Sequence, residues 1–240
     1  MVAVNILETK GLTKTYGGLN ANYNIDFTLP RGEIHALIGP NGAGKSTFVG
    51  MLSGRIPATR GQVWFDGAEV TRLPAHKRIS LGIAYTFQIT SIFGKLPVRE
   101  NVALAVRRIL GRDRAAVQAK VNGVLERVGM TDQADQLAGD LSYGHQRVLE
   151  IAMGLAQNPE LFILDEPTQG LALPEVEAFK DLVRDLRGET TILLIEHNMN
   201  VVMEVSDSLT VLNNGEVLAR GTPDEIRANA DVQAAYLGGA

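Results

Sequence analysis

Cysteine does not occur among the 240 residues, which excludes a disulfide framework, a thiol nucleophile and a zinc site of the thiolate kind. Long apolar runs are missing as well. The longest are Val102 to Val106, Leu161 to Leu164 and Ile192 to Ile195, against the roughly 18 residues that a spanning helix needs. Met1 to Lys10 has no basic stretch ahead of an apolar core and does not read as a signal peptide. Charge of one sign is scarce: Lys+Arg 23 and Asp+Glu 27 leave a net charge of −4. No block of it suits a nucleic-acid arm, so nucleic acid is not an expected partner. No repeat with a period of about 20–50 residues is present. What the composition does supply, 45% hydrophobic and 21% charged residues, belongs to a folded body with a sizeable core, as one domain or one domain carrying an insertion.

Three early runs read as strands: Val2 to Glu8, Tyr23 to Leu29, and Glu33 to Gly39 after the Pro30-Arg31-Gly32 turn. In the second, the apolar residues Tyr23, Ile25, Phe27 and Leu29 alternate. Gln62 to Phe65 and Ala68 to Val70 flank Asp66-Gly67 and read as a hairpin, since that dipeptide accepts the positive φ angles of a two-residue turn. The pattern changes after about Gln88. Pro97 to Leu110 and Arg114 to Val128 have helical spacing, with Gly129 as a stop, and predict an inserted helical subdomain over 89–157 between core segments 1–88 and 158–240. From Ser142 onward helices alternate with short apolar strands. Val148, Ile151, Ala152 and Leu155 precede Leu161 to Leu164, and Val176, Phe179, Val183 and Leu186 precede Thr191 to Ile195. Unbroken apolar strands between helices predict a parallel sheet covered on both faces, hence an α/β fold with a β-rich N-terminal part. Ser208 to Leu212 and Glu216 to Arg220 around Asn213-Asn214-Gly215 read as a late hairpin.

Gly39-Pro40-Asn41-Gly42-Ala43-Gly44-Lys45-Ser46 fits G-x-x-x-x-G-K-[ST], after a strand and before an amphipathic stretch with Phe48, Val49 and Leu52. A glycine-rich turn lets successive backbone amides point inward, and the helix that follows offers its positive end to phosphate. Lys45 is placed to neutralise the β- and γ-phosphates and Ser46 to ligate Mg²⁺. Asp165 and Glu166 follow four apolar residues at the carboxyl end of a strand, where ligands of open α/β sheets collect. Burial there forces charge to find a cation or donors. Asp165 is the candidate for holding Mg²⁺ through water beside Ser46, and Glu166 for polarising an attacking water. Ser142 reads as an N-cap, and with the open amide of Gly144 it makes a second anion site. Two phosphate cradles for one nucleotide point to sharing between chains.

As a set, the phosphate loop, LSYGHQR at 141–147 ahead of LFILDEP, Gln88, and His197 after TTILLIE resemble the ATP-binding subunit of an ABC transporter over essentially the whole chain. The resemblance implies a P-loop ATPase of the ABC type: a mixed or parallel sheet core, an N-terminal antiparallel β-subdomain, an inserted helical subdomain, and ATP and Mg²⁺ as cofactors. It further implies that Gly39, Pro40, Asn41, Gly42, Ala43, Gly44, Lys45, Ser46 and Thr47 bind nucleotide and that Tyr16 stacks on adenine. By the same resemblance Gln88 senses Mg²⁺ and the attacking water, and His197 contacts the γ-phosphate. Ser142, Gly144 and His145 complete the ATP site of the opposite subunit in a head-to-tail dimer, homo- or heterodimeric. Integral-membrane permease subunits are the implied partners, with a substrate-binding protein in the wider complex, at the cytoplasmic face of the cell membrane. The chain departs from the usual LSGGQ at Tyr143 and His145, and has Ala172 where the family often has Asp.

Several stretches resemble one branch, the ATPases of branched-chain amino-acid and urea importers: Tyr85-Thr86-Phe87-Gln88, LSYGHQRVLEIAM, LLIEHNM, VVMEVSD and the AYLGG end. The ATPase of lipopolysaccharide export is the runner-up, being of similar length and ending. ABC ATPases acting on DNA or ribosomes bring coiled-coil insertions or basic patches that are not seen here, and a P-loop kinase would have no use for the signature segment. Ile89, Ile92, Phe93, Leu96 and Val98 are more apolar than a solvated loop needs; exposed together, they would form a groove for a permease helix.

Overall fold

The chain is described here from a computed structural model covering residues 4–86 and 91–237. Two long strands, β1 (Asn5–Tyr16) and β2 (Leu19–Pro30), pair antiparallel around Gly17-Gly18. The next strand, β3 (Ile34–Ile38), leads into α1 (Lys45–Leu52), and a small hairpin of β4 (Arg60–Phe65) and β5 (Ala68–Glu69) returns to pair with β1. Asp66 and Gly67 both have positive φ, 47° and 74°, as the hairpin reading requires. The result is a four-stranded antiparallel sheet in the order β2-β1-β4-β5.

Alternation holds along β2 for Ile25, Phe27 and Leu29, all buried, but Tyr23 is 51% exposed. Leu12 pairs with Ile25 but Lys14 pairs with Asn22, so Tyr23 and Asn24 together face Thr13. Asn24 takes a left-handed φ of 49° in this bulge, and one extra residue turns the side chains beyond it to the opposite face.

After α2 (Ala75–Ser80) and β6 (Ile83–Tyr85) come three helices, α3 (Val98–Leu110), α4 (Arg114–Arg127) and α5 (Tyr143–Leu155). Gly111 and Gly129 close α3 and the turn after α4 with positive φ. Val102, Val106, Val121, Leu125, Leu149 and Ala152 give these helices an apolar core of their own. Among the loop residues read as a groove, Val98 is fully buried and Ile92 packs against that core, whereas Phe93 (54%) and Leu96 (36%) are exposed. Ile89 lies outside the described residues.

The remainder alternates as expected: β7 (Leu161–Asp165), α6 (Leu173–Asp185), β8 (Thr191–Ile195), α7 (Met199–Val205), the hairpin β9 (Ser208–Asn213) and β10 (Glu216–Gly221), then α8 (Pro223–Ala228) and α9 (Ala230–Leu237). The second sheet runs β10-β9-β3-β8-β7-β6, parallel throughout except for β10 at its edge. Every residue of β3, β7 and β8 is buried. One face packs on the antiparallel sheet and α1, the other on α5, α6 and α7, so the carboxyl ends of β3, β7 and β8 come together at one edge.

Candidate functional site

At that edge β3 gives way to the glycine-rich turn at 39–44. Glycine is required there by contact. A Cβ at Gly39 would stand 2.1 Å from the Leu212 carbonyl oxygen, and one at Gly44, whose φ is 98°, would stand 2.4 Å from the Ala21 carbonyl oxygen. Lys45 opens α1, and its ammonium donates to the carbonyl oxygens of Gly39 (2.6 Å) and Pro40 (3.1 Å), spanning the loop. Burial lowers its pKa, with Glu166 and Asp165 pulling the other way. The loop forms one wall of a cleft of about 510 Å³. Asn41, Lys45, Ser46 and Thr47 line it on one side and Glu166 and His197 on the other.

The Asp165 carboxylate at the end of β7 accepts the Tyr85 hydroxyl at 2.6 Å, and the Asp165 amide donates to the Thr86 hydroxyl. Burial raises the Asp165 pKa and the Tyr85 hydrogen bond partly offsets it; the Tyr85 phenol is itself pushed up, first by burial and then by Asp165. Arg55 lies 4.8 Å over the Tyr85 ring. Glu166 has a left-handed φ of 49°, and its amide donates to the Ile195 carbonyl. This twist swings its carboxylate into the cleft, where Oε1 lies 2.7 Å from Nε2 of His197. His197 is held from behind. The buried Glu196 carboxylate accepts the amides of Thr168, His197 and Asn198 and the Thr168 hydroxyl, binding the turns after β7 and β8 to each other.

Ser142 caps α5 as expected: its Oγ accepts the His145 amide and sits 2.8 Å from His145 Nδ1. Gly144 leaves no room for a side chain. The Glu175 carboxylate stands 2.2 Å from where its Cβ would be, and the Tyr143 ring lies against Gly170 in the same way at 2.8 Å. Within one chain Ser142, Gly144 and His145 do not line the cleft. Neither does Tyr16, which is 48% exposed at the end of β1 with Lys14 over its ring. Gln88 lies outside the described residues. Motif reading missed Tyr85, Glu196 and the cleft rim formed by Asn20, Ala21 and the Asn214-Gly215 turn. The last of these had a signal, because Asn-Gly between strands marks a turn that must project from the sheet.

The ABC transporter family profile matches residues 23–169, and that of the branched-chain amino acid ATP-binding cassette transporter matches 216–240. The high-affinity branched-chain amino acid transport ATP-binding protein BraF of Pseudomonas aeruginosa is 40% identical over 250 residues, covering 97% of this chain and 98% of that protein. Its Escherichia coli counterpart LivG is 38% identical over 249 residues, with 97% and 98% covered. The lipopolysaccharide export system ATP-binding protein LptB of Haemophilus influenzae is 33% identical over 238 residues, with 98% of each covered. Among solved structures, the ADP conformation of an ATP-binding cassette of an ABC transporter superposes with a TM-score of 0.86 at 27% identity, over 98% of this chain and 99% of that one. A dimeric post-hydrolysis state of another cassette, bound to ADP and Pi, gives 0.82 at 25% identity, over 90% and 98%. The chain belongs to the ABC transporter family, as an ATP-binding subunit that hydrolyses ATP in the service of transport.

Proposed function

We propose that the chain powers an importer of branched-chain or other hydrophobic amino acids, and that Glu166 is its hydrolytic base. The contact between His197 and Glu166, 2.7 Å long and facing Lys45 across the cleft, is the observation that carries the catalytic reading. Residues 39–47 cradle the phosphates, and Lys45 neutralises charge on the β- and γ-groups. Glu166 takes a proton from water as the water oxygen bonds to the γ-phosphorus and the bond to the β,γ-bridging oxygen breaks, leaving ADP and phosphate. His197 orients Glu166 through its Nε2 contact and contacts the γ-phosphate.

Among the described residues no three His, Cys, Asp or Glu side chains converge as a metal cage. The donor set suits Mg²⁺ nonetheless, because that ion takes few protein ligands and completes its shell with phosphate oxygens and water. The Ser46 hydroxyl, Asp165 through water, and Gln88 would hold it. When bound, it supplies positive charge to the phosphates. Tyr16 stacks on adenine, and Ser142, Gly144 and His145 close over the ATP of a second subunit; that a related cassette bound to ADP and Pi is dimeric supports the pairing. Permease subunits and a substrate-binding protein complete the assembly at the cytoplasmic face of the membrane.

The branch is supported by the identity to BraF, higher than to LptB, together with the C-terminal match at 216–240. Vesicles carrying the native complex should take up labelled leucine in an ATP-dependent way, and Glu166→Gln should abolish both uptake and phosphate release while ATP stays bound. Lipopolysaccharide release in place of uptake would move the chain to the export branch. Wild-type hydrolysis by Glu166→Gln would remove that residue from its role.

A further inference from the structure

Two arginines, Arg78 and Arg147, are almost wholly buried, each 1% exposed. The guanidinium of Arg78 serves the backbone carbonyls of Met51, Leu52, Thr71 and Leu73, tying the last turn of α1 to the segment ahead of α2. Arg147 is different in what it joins. It lies one turn into α5, the helix capped by Ser142. One of its terminal nitrogens donates to the Glu150 carboxylate at 2.7 Å, and the other to the carbonyl oxygens of Asp165 at 3.3 Å and Glu166 at 3.2 Å.

Those carbonyls flank the backbone twist that aims Glu166. A non-glycine residue at a φ of 49° keeps that conformation only where its surroundings hold it. Here the Glu166 amide is fixed by the Ile195 carbonyl at 2.8 Å and the Glu166 carbonyl by Arg147, so both of its peptide groups are anchored. The first anchor is the neighbouring strand; the second is α5. We propose that Arg147 is a positioning residue for hydrolysis, which sets the backbone of Glu166 and makes the aim of its carboxylate depend on the position of α5. The inference rests on the reading of Glu166 as the base. Its consequence is a direct path: any movement of the helix whose tip meets the partner's nucleotide reaches the hydrolytic carboxylate through one planar side chain. Lysine cannot substitute, because a single ammonium does not present the fork that serves a carboxylate and two carbonyls at once.

The test compares Arg147→Lys, the paired Arg147→Met/Glu150→Met, in which no buried charge is left alone, and Glu166→Gln. All are made in the full chain and assayed in its native membrane complex, with folding followed by circular dichroism. Arg147→Lys is expected to lower kcat for ATP hydrolysis at least about tenfold, with KM and the Kd of a fluorescent ATP analogue within about twofold of wild type. The paired variant should behave likewise, and in both the ATP-held dimer should outlive that of wild type. A wild-type kcat in either folded variant, with Glu166→Gln inactive, overturns the role of Arg147 and leaves that of Glu166 standing. Loss of nucleotide binding in step with kcat, or failure of both variants to fold, overturns it in favour of a purely structural residue. Normal turnover by Glu166→Gln removes the base reading and this inference with it.

Discussion

At the scale of single residues, the cleft depends on groups whose neighbours come from distant parts of the chain. Tyr85 shows this most plainly: its hydroxyl holds the Asp165 carboxylate at 2.6 Å across 80 positions of sequence. Removing the hydroxyl leaves a buried carboxylate with one donor fewer, a loss worth about 1.5 kcal/mol or more when the acceptor is charged. Tyr85→Phe should therefore raise the Mg²⁺ concentration needed for half-maximal nucleotide binding roughly tenfold, while binding in EDTA stays as in wild type. Titration of a fluorescent ATP analogue with and without the metal makes the comparison. The phosphate loop, the Asp165-Glu166 pair and the Ser142 cap were all legible in the sequence, because each is a local pattern whose geometry is set within a few residues. Tyr85, Arg147 and the Glu196 centre were not. The contacts that matter, Tyr85 to Asp165, Arg147 to the Asp165 and Glu166 carbonyls and Glu196 to Thr168, reach across 18 to 80 positions, and no spacing rule reaches that far. The left-handed φ of Glu166 was equally hidden, since no glycine or asparagine marks it.

At the scale of elements, one-sided helices and buried apolar strands came through, whereas the shortest elements did not and the 12-residue strands β1 and β2 were read short, as Val2 to Glu8 and Tyr23 to Leu29. The helices α3 and α4 and the strand β8 match their expected spans closely, because fully apolar strands and one-sided helices follow directly from burial. Six-residue α2 and three-residue β6 carry too few positions for a period to register, and the alanine-rich α9 has no distinct apolar stripe. The helix α6 keeps half of a capping box. Ala172 at its N-cap has no side chain to accept the Glu175 amide, while the Glu175 carboxylate accepts the Ala172 amide at 2.8 Å. The backbone of Ala172 is extended, as a capping serine requires. Ala172→Ser should add about 0.5–1 kcal/mol of stability in urea unfolding; a decrease would mean that Glu175, which also abuts Gly144, cannot share the turn.

At the scale of the whole molecule, two consequences can be measured. His35 in β3 is 4% exposed between the hydroxyls of Ser208 and Thr210, and burial, aided by the charge of Arg220, depresses its pKa to about 3. Unfolded, the same imidazole takes up a proton near pH 6.5. Above that pH both states are neutral and His35 adds nothing to the pH dependence. As the pH falls from about 6.5 towards 3 the unfolded chain gains a proton that the folded chain refuses, and stability drops by about 1.4 kcal/mol per pH unit. Urea unfolding at pH 7.5 and 5.5 should show this loss, and His35→Gln should reduce it. The second consequence concerns assembly. Phe93 is 54% exposed beside Leu96 at the start of the helical region, so Phe93→Ser should leave Tm nearly unchanged while weakening co-purification with the permease. Undiminished recovery of the membrane subunits would place their contact elsewhere.

The turn between β9 and β10 carries one more implication. The Gly215 amide donates to the Ala43 carbonyl inside the phosphate loop, and the Gly215 carbonyl accepts the Tyr23 amide. The stretch matched by the branch-specific profile begins at the very next residue. The tail is thus no detachable appendage: a protease nick after Asn214 would unlatch the loop from outside and bare β9 as a sticky border, so that loss of nucleotide affinity and aggregation would arrive together.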